Sequence, residues 1–149
     1  MKKLHYQITV QASRKEVWDV LWKDESYRKW AGVFSEGSHA VTDWNKGSKV
    51  LFLSANGDGM VSMIAENKPQ EFMSFNHLGM IINGKEDFES EKVKEWAGVH
   101  ENYHLKEMNG ETVLTVEMDT TEEFQDYFNG TWPLAMKKIK ELSEENKAG

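Results

Sequence analysis

The sequence predicts an α+β fold: one antiparallel sheet of about six strands, two short helices after the first strand, and a long C-terminal helix. Three observations carry this reading. Leu4, Tyr6, Ile8 and Val10 alternate with polar residues, the period of a half-buried strand. Asn-Gly pairs at 56–57 and 109–110 stand between apolar runs, the strongest short-range hairpin signal. Trp132, Ala135, Met136, Ile139 and Leu142 recur at helical spacing near the end of the chain.

The elements follow in order. After the first strand, Ser13-Arg14-Lys15-Glu16 reads as a capping box, with Ala12 placed to staple onto Val17. Val17, Trp18, Leu21 and Trp22 then mark one short helix, and Glu25 to Trp30 a second. Residues 31–45 are loop-like. GSKVLFLS and MVSMIAE are strands around ANGDG. That turn is no calcium loop, because Ser54 and Ala65 occupy the first and last ligand positions. Pro69-Gln70 turns the chain into EFMSFNHLG, another strand. Residues 80–95, polar and acidic with one Asn-Gly, form an excursion at the sheet end. TVLTVEM follows the last hairpin with Thr112, Leu114, Val116 and Met118 on one face. Thr120 and Glu123 spell a second capping box, ahead of Phe124, Tyr127 and Phe128. Asn129-Gly130 interrupts, and Thr131 caps a new helix that tolerates Pro133 in its first turn. SEENKAG reads as a frayed, solvated end. No repeat or linker divides the chain, so residues 1–149 are expected to form a single domain.

Composition narrows the function. Eighteen Lys and Arg against 25 Asp and Glu leave a net charge of -7, which repels nucleic-acid phosphate and anionic lipid. No apolar run reaches the ~20 residues of a membrane span, and MKKLHYQITV is not a signal peptide. With no cysteine, disulfides, thiolate nucleophiles and Cys-based zinc sites are excluded, and a reducing cytoplasm is the expected compartment. Six Trp, seven Phe, four Tyr and eight Met supply material for a core or for the lining of an apolar cavity.

Residues 100–104, HENYH, spell the His-Glu-x-x-His pattern of zinc peptidases. On a helix the two imidazoles would share one side. On a strand, four residues rise about 13 Å, too far for both to reach one ion at about 2 Å. Val93, Trp96, Ala97 and His100 permit a helix. Ala97, Val99, Tyr103 and Leu105 alternate instead, and the segment runs directly into a hairpin. Glu107, Gly110 and Glu111 do not complete the longer zinc motif.

The chain resembles the SRPBCC or START-like superfamily, particularly the branch related to the C-terminal domain of the heat-shock chaperone ATPase activator. ITVQASRKEVWDVLW resembles its opening strand and helix, and DWNKGSKVLFL with NGDGMVSMIAENKPQEFMSFNHLG its central strands. ENYHLKEMNGETVLTVEMD resembles the strands before the closing helix, and GTWPLAMKKIKEL that helix itself. The resemblance implies a helix-grip fold, in which a curved sheet wraps the terminal helix around a pocket, and it places residues 97–106 in a strand. It also implies binding of lipids, hormones or aromatic polyketides, polyketide cyclisation, or contact with a chaperone.

Alternation nominates the side chains facing that pocket. Ala97, Val99, Glu101, Tyr103 and Leu105 share one face, as do Met73, Phe75 and His77. With Phe75 opposite Tyr103, His77 would oppose Glu101, and directly opposed residues can pair. His77, Glu101 and Tyr103 are therefore the expected polar spot, with Phe52, Met63, Phe75, Trp132 and Met136 as apolar walls. The bland alternative places Glu101 at the rim, bonded to water or a lysine. Trp18, Trp22 and Trp30 are expected to pack the small helices on the sheet. The favoured function is binding of a small hydrophobic ligand, lipid or aromatic and polyketide-like. A cyclase or hydratase using the polar spot, or a chaperone ATPase-stimulating module, are the alternatives. No nucleophile-base-orienter set is legible, so the reading leans away from an enzyme, and neither cofactor nor metal is expected.

Overall fold

The computed structural model describes residues 1–148, the last three by backbone alone. Strand β1 (Lys2–Val10) has Leu4 and Val10 buried and the polar residues between them turned outward. The chain then enters α1 (Arg14–Trp22), whose N-cap Ser13 Oγ accepts from the Glu16 amide at 3.2 Å. Ala12 and Val17 on either side of the cap are fully buried. Helix α2 (Asp24–Ala31) follows after a single intervening residue and buries Tyr27, Trp30 and Ala31.

The remaining strands are β2 (His39–Val41), β3 (Lys49–Leu53), β4 (Gly59–Lys68), β5 (Phe72–Ile82) and β6 (Lys85–Asp87), then, after a short α3 (Glu91–Lys94), β7 (His100–Met108) and β8 (Glu111–Thr120). All pair antiparallel in the order β1-β8-β7-β5-β4-β3-β2, with β6 on β5. Six strands span five residues or more, and the other two, β2 and β6, span three. Register shifts between Val61/Ser62 and Ile64/Glu66 in the β4–β5 pair mark bulges, which bend and twist a sheet. Both residues of the Asn109-Gly110 turn have positive φ, 54° and 80°, as a tight primed hairpin requires.

One face of the sheet carries the core. Paired residues share a face, so the register gives a continuous inner row of Leu4, Met118, Glu101, Phe75 and Ile64. A second row holds Tyr6, Val116, Tyr103 and Met73. Helix α4 (Glu122–Ala148) lies over this face, burying Trp132, Ala135, Met136 and Ile139 in the same cluster. No helix among the described residues is long and apolar enough to cross a membrane.

Several local expectations are corrected. Ala97 and Gly98 belong to the turn after α3, not to a strand, and β7 starts at His100; Gly98 has a φ of 93°. Thr120 is a buried strand residue rather than a helix cap, and α4 starts at Glu122. The interruption at Asn129-Gly130 does not occur: the helix runs through it and through Pro133. Thr131 Oγ1 donates back to the Tyr127 carbonyl, the back-bond of a mid-helix threonine. Burial of Trp132 and its neighbours outweighs the ~1 kcal/mol penalty of an internal glycine. The SEENKAG end is not frayed where it is described, since Ser143 is fully buried and helix persists to Ala148; Gly149 lies outside the described residues.

Candidate functional site: a buried carboxylate among rings

Four strand residues meet on the inner face. His77 Nε2 lies 3.2 Å from Glu101 Oε1, and Tyr103 Oη donates to Glu101 Oε2 at 2.5 Å. On its other side His77 Nδ1 is 2.6 Å from Ser62 Oγ. An ionised carboxylate can only accept, so Nε2 carries a proton toward Glu101. In the neutral ring Nδ1 then accepts from the Ser62 hydroxyl. The chain Ser62–His77–Glu101–Tyr103 is continuous and lies almost wholly inside the protein: Ser62 is 0% exposed, His77 6% and Tyr103 2%.

The electrostatics follow from that enclosure. Burial raises the Glu101 pKa, but the His77 hydrogen bond and charge and the Tyr103 hydrogen bond lower it, and the net shift is downward. Glu101 is thus held as a carboxylate, its side chain 17% exposed. The phenols respond in the opposite sense. Burial and then the Glu101 charge push Tyr103 well above the ordinary tyrosine value, and the same two causes raise Tyr27 on α2. An anion is stored in an apolar shell by the hydrogen bonds of His77 and Tyr103, with Ser62 behind His77, rather than by a lysine or arginine.

The register expected at this point is corrected, although its two partners do meet. Phe75 pairs with Glu101, and Met73 with Tyr103, so His77 stands two positions beyond Glu101 and reaches back to it diagonally. Phe52, Phe75, Trp132 and Met136 all pack in or against the main core. The Phe52 ring lies 5.0 Å from that of Phe75 and 6.0 Å from His77. Trp132 sits 6.1 Å from Tyr103 and directs Nε1 to Met118 Sδ at 3.2 Å. Met63 is not with them. It pairs with Lys49 and Asn76 on the outer face, and Ser62 and Ile64 hold the inner positions. Sequence reasoning missed Ser62 and Tyr27. Ser62 pairs directly with His77, so the β4–β5 register would have exposed it; nothing in the sequence near Tyr27 points to Glu101.

HENYH lies entirely on β7. Its histidines face outward and keep separate company: His100 Nδ1 is 3.2 Å from Ser74 Oγ, and His104 Nε2 is 3.1 Å from Glu117. Glu101 points to the opposite face, toward His77. A strand geometry of this kind cannot present the three side chains to one ion.

The hollow expected between sheet and α4 is filled. Trp22 meets Tyr103 at 4.8 Å and Phe75 at 5.4 Å, Phe34 meets Trp132 at 4.9 Å, and Trp30 meets Trp132 at 6.1 Å. These rings, brought partly by α1 and α2, occupy the space a wide cavity would need. Open volume of about 230 Å³ lies instead at one end of the grip, between α1, Trp44 and the β4–β5 strands. A second depression of about 470 Å³ lies on the outer face of β1, β7 and β8, around Gln7, His104 and Thr115.

No family model matches the chain, and no curated protein does. Solved structures do match. The chain superposes on the Aha1 dimer protein from Colwellia psychrerythraea with a TM-score of 0.71 at 17% identity, covering 94% of each chain. A Cytophaga hutchinsonii protein, ChR145, gives 0.73 at 15% identity over 100% of this chain and 98% of the other. DynU16, from the dynemicin biosynthetic locus, gives 0.71 at 14% identity over 97% of this chain and 48% of its own. At such identities the likeness shows the fold.

Proposed function

We propose, from the START-like, helix-grip fold that the chain shares with these proteins (a curved antiparallel sheet, two short early helices and a long C-terminal helix laid across it), that residues 1–149 act as one binding domain for a small hydrophobic molecule, lipid or aromatic and polyketide-like, that also carries a hydrogen-bond donor. One observation supports this reading above others: Glu101 is kept ionised within a shell of aromatic rings. A carboxylate has about four acceptor positions, and His77 and Tyr103 use two. A guest hydroxyl or N–H can take another, while its rings replace protein rings in the apolar shell. Phe52, Phe75, Trp132 and Met136 are the proposed walls. Helix α2, eight residues long and contributing Tyr27 and Trp30, is the element whose displacement admits a guest.

The enzymatic alternative has less support. A general acid needs a raised carboxyl pKa, and that of Glu101 is lowered. Ser62 is fully enclosed, so its bond to His77 does not make it a nucleophile that a substrate can reach. A chaperone-contacting role rests on the Aha1 likeness alone.

Fluorescence titration with 2-naphthol, and with 2-methoxynaphthalene as the donor-free control, tests the proposal. Saturable 2-naphthol binding, weakened about tenfold or more in Glu101→Gln, is the expected result, from the worth of a hydrogen bond to a charged group. The methoxy compound should bind both proteins alike. If neither probe binds saturably, or if 2-naphthol does not distinguish the two proteins, the reading is wrong.

A further inference from the structure

Helix α4 has two apolar faces. One carries Trp132, Ala135, Met136 and Ile139 and is buried on the sheet. The other meets solvent: Phe124 is 41% exposed, Tyr127 45% and Leu134 59%. A surface helix of a globular protein ordinarily turns charged and polar residues outward. Phe124, Tyr127, Thr131 and Leu134 are instead spaced by three, four and three residues, the repeat with which one helix packs along another.

The hydroxyls on this line are already satisfied. Tyr127 Oη donates to the Phe34 carbonyl at 2.7 Å, and Thr131 Oγ1 donates to the Tyr127 carbonyl at 2.7 Å. Covering the line with an apolar surface therefore strands neither of them, and the cost of burying an unpaired polar group does not arise. The rings of Phe34 and Phe128 lie 6.5 and 5.2 Å from that of Tyr127 and widen the apolar surface. The sheet holds α4 in place, so a partner meets a preformed surface and bears no cost of helix formation.

Charge along the helix says what the partner is. Glu122, Glu123 and Asp126 occupy its first turns, and Lys137 and Lys138 follow about four turns later. Glu123 and Lys137 are both exposed, and neither is in an ion pair among the described residues. A parallel neighbour of the same sequence would set acid against acid and lysine against lysine. An antiparallel one sets Phe124 against Leu134 and Tyr127 against Thr131, and the same register brings Glu123 beside Lys137 at both ends. The line is complementary to itself, as a twofold interface requires.

We infer that α4 docks antiparallel on α4 of a second copy of this chain, through Phe124, Tyr127, Thr131 and Leu134, with Glu123 of each copy paired to Lys137 of the other. The interface is separate from the Glu101 centre and does not depend on a guest there. Its helical line is short against the roughly 20–30 residues a side of a standard interface, so the dimer exchanges readily with the monomer.

Sedimentation equilibrium of the full-length protein, from micromolar to millimolar concentration, tests this. The expected result is an average mass rising from the monomer toward the dimer. Leu134→Glu changes a side chain that is mostly in solvent in the monomer, so it should fold normally and weaken association about tenfold or more. Glu123→Lys and Lys137→Glu should each weaken it about three- to tenfold, because each reversal acts twice across the axis. The variant carrying both reversals should regain the unsubstituted affinity. A protein that stays monomeric throughout overturns the proposal and leaves the line to a different partner. A dimer indifferent to Leu134→Glu forms through another surface, and a double variant that does not recover rules out the antiparallel register; either result also overturns it.

Discussion

At the scale of single residues, Glu101 makes the molecule sensitive to acid in a defined sense. Its pKa is lower in the folded protein than the ordinary glutamate value of about 4.3, so the unfolded chain binds the proton first. The stability it contributes is complete above that ordinary value and is lost as pH falls through the folded value. Melting temperature should therefore drop more gently below about pH 4.3 in Glu101→Gln than in the unsubstituted protein, and thermal scans across that window will show it. Equal slopes would mean that Glu101 does not report the folded state. Ser62→Ala is predicted to cost about 1–3 kcal/mol, because it strands His77 Nδ1 in the interior. Phe75→Ala should cost more, about 3–5 kcal/mol, since Phe75 is fully buried among the rings of Trp22, Phe52 and Tyr103. Denaturant unfolding measures both.

At the scale of elements, α4 and the β3–β4 hairpin make opposite demands on glycine. Gly130 lies inside α4, and a Cβ there would meet nothing within 4 Å. Gly130→Ala is expected to stabilise the protein by about 0.5–1 kcal/mol, through helix propensity alone. Gly59 opens β4 where a Cβ would fall 1.8 Å from the Phe52 carbonyl oxygen. Gly59→Ala must push the hairpin apart and should abolish cooperative unfolding or lower its midpoint sharply. If alanine is tolerated equally at both positions, the backbone approach at Gly59 is not as close as described.

At the scale of the whole molecule, stability should be graded outward from the paired centre of the sheet. β8 lies between β1 and β7 from Thr112 to Met118, whereas β2 and β6 are three-residue edges. Hydrogen exchange is expected to leave β8 amides protected longest, with those of β2, β6 and α2 exchanging through local opening. Slow exchange of α2 would count against its role as the element that admits a guest. The negative charge of the chain adds a global preference: a sulfonated naphthalene should bind more weakly than 2-naphthol, with a difference that shrinks as salt rises.

Much of the architecture was legible because period and turn chemistry are local properties. Leu4 to Val10 alternate, Asn109-Gly110 adopts the left-handed pair a hairpin needs, and Trp132 to Ile139 recur at helical spacing, so those elements can be read from neighbours in the chain. His77, Glu101 and Tyr103 were also recognisable as polar residues on apolar faces. What local reasoning could not reach depended on partners distant in sequence. The β5–β7 register lies two residues from the expected one, and Met63, expected as a wall of the pocket, faces outward while Ser62 and Ile64 hold the inner positions. Continuity of α4 through Gly130 and Pro133 was decided by burial against the sheet. Whether the grip encloses a hollow or a plug of rings depends on how Trp22, Trp30, Phe75 and Trp132 pack together, because volume is filled by side chains from different elements.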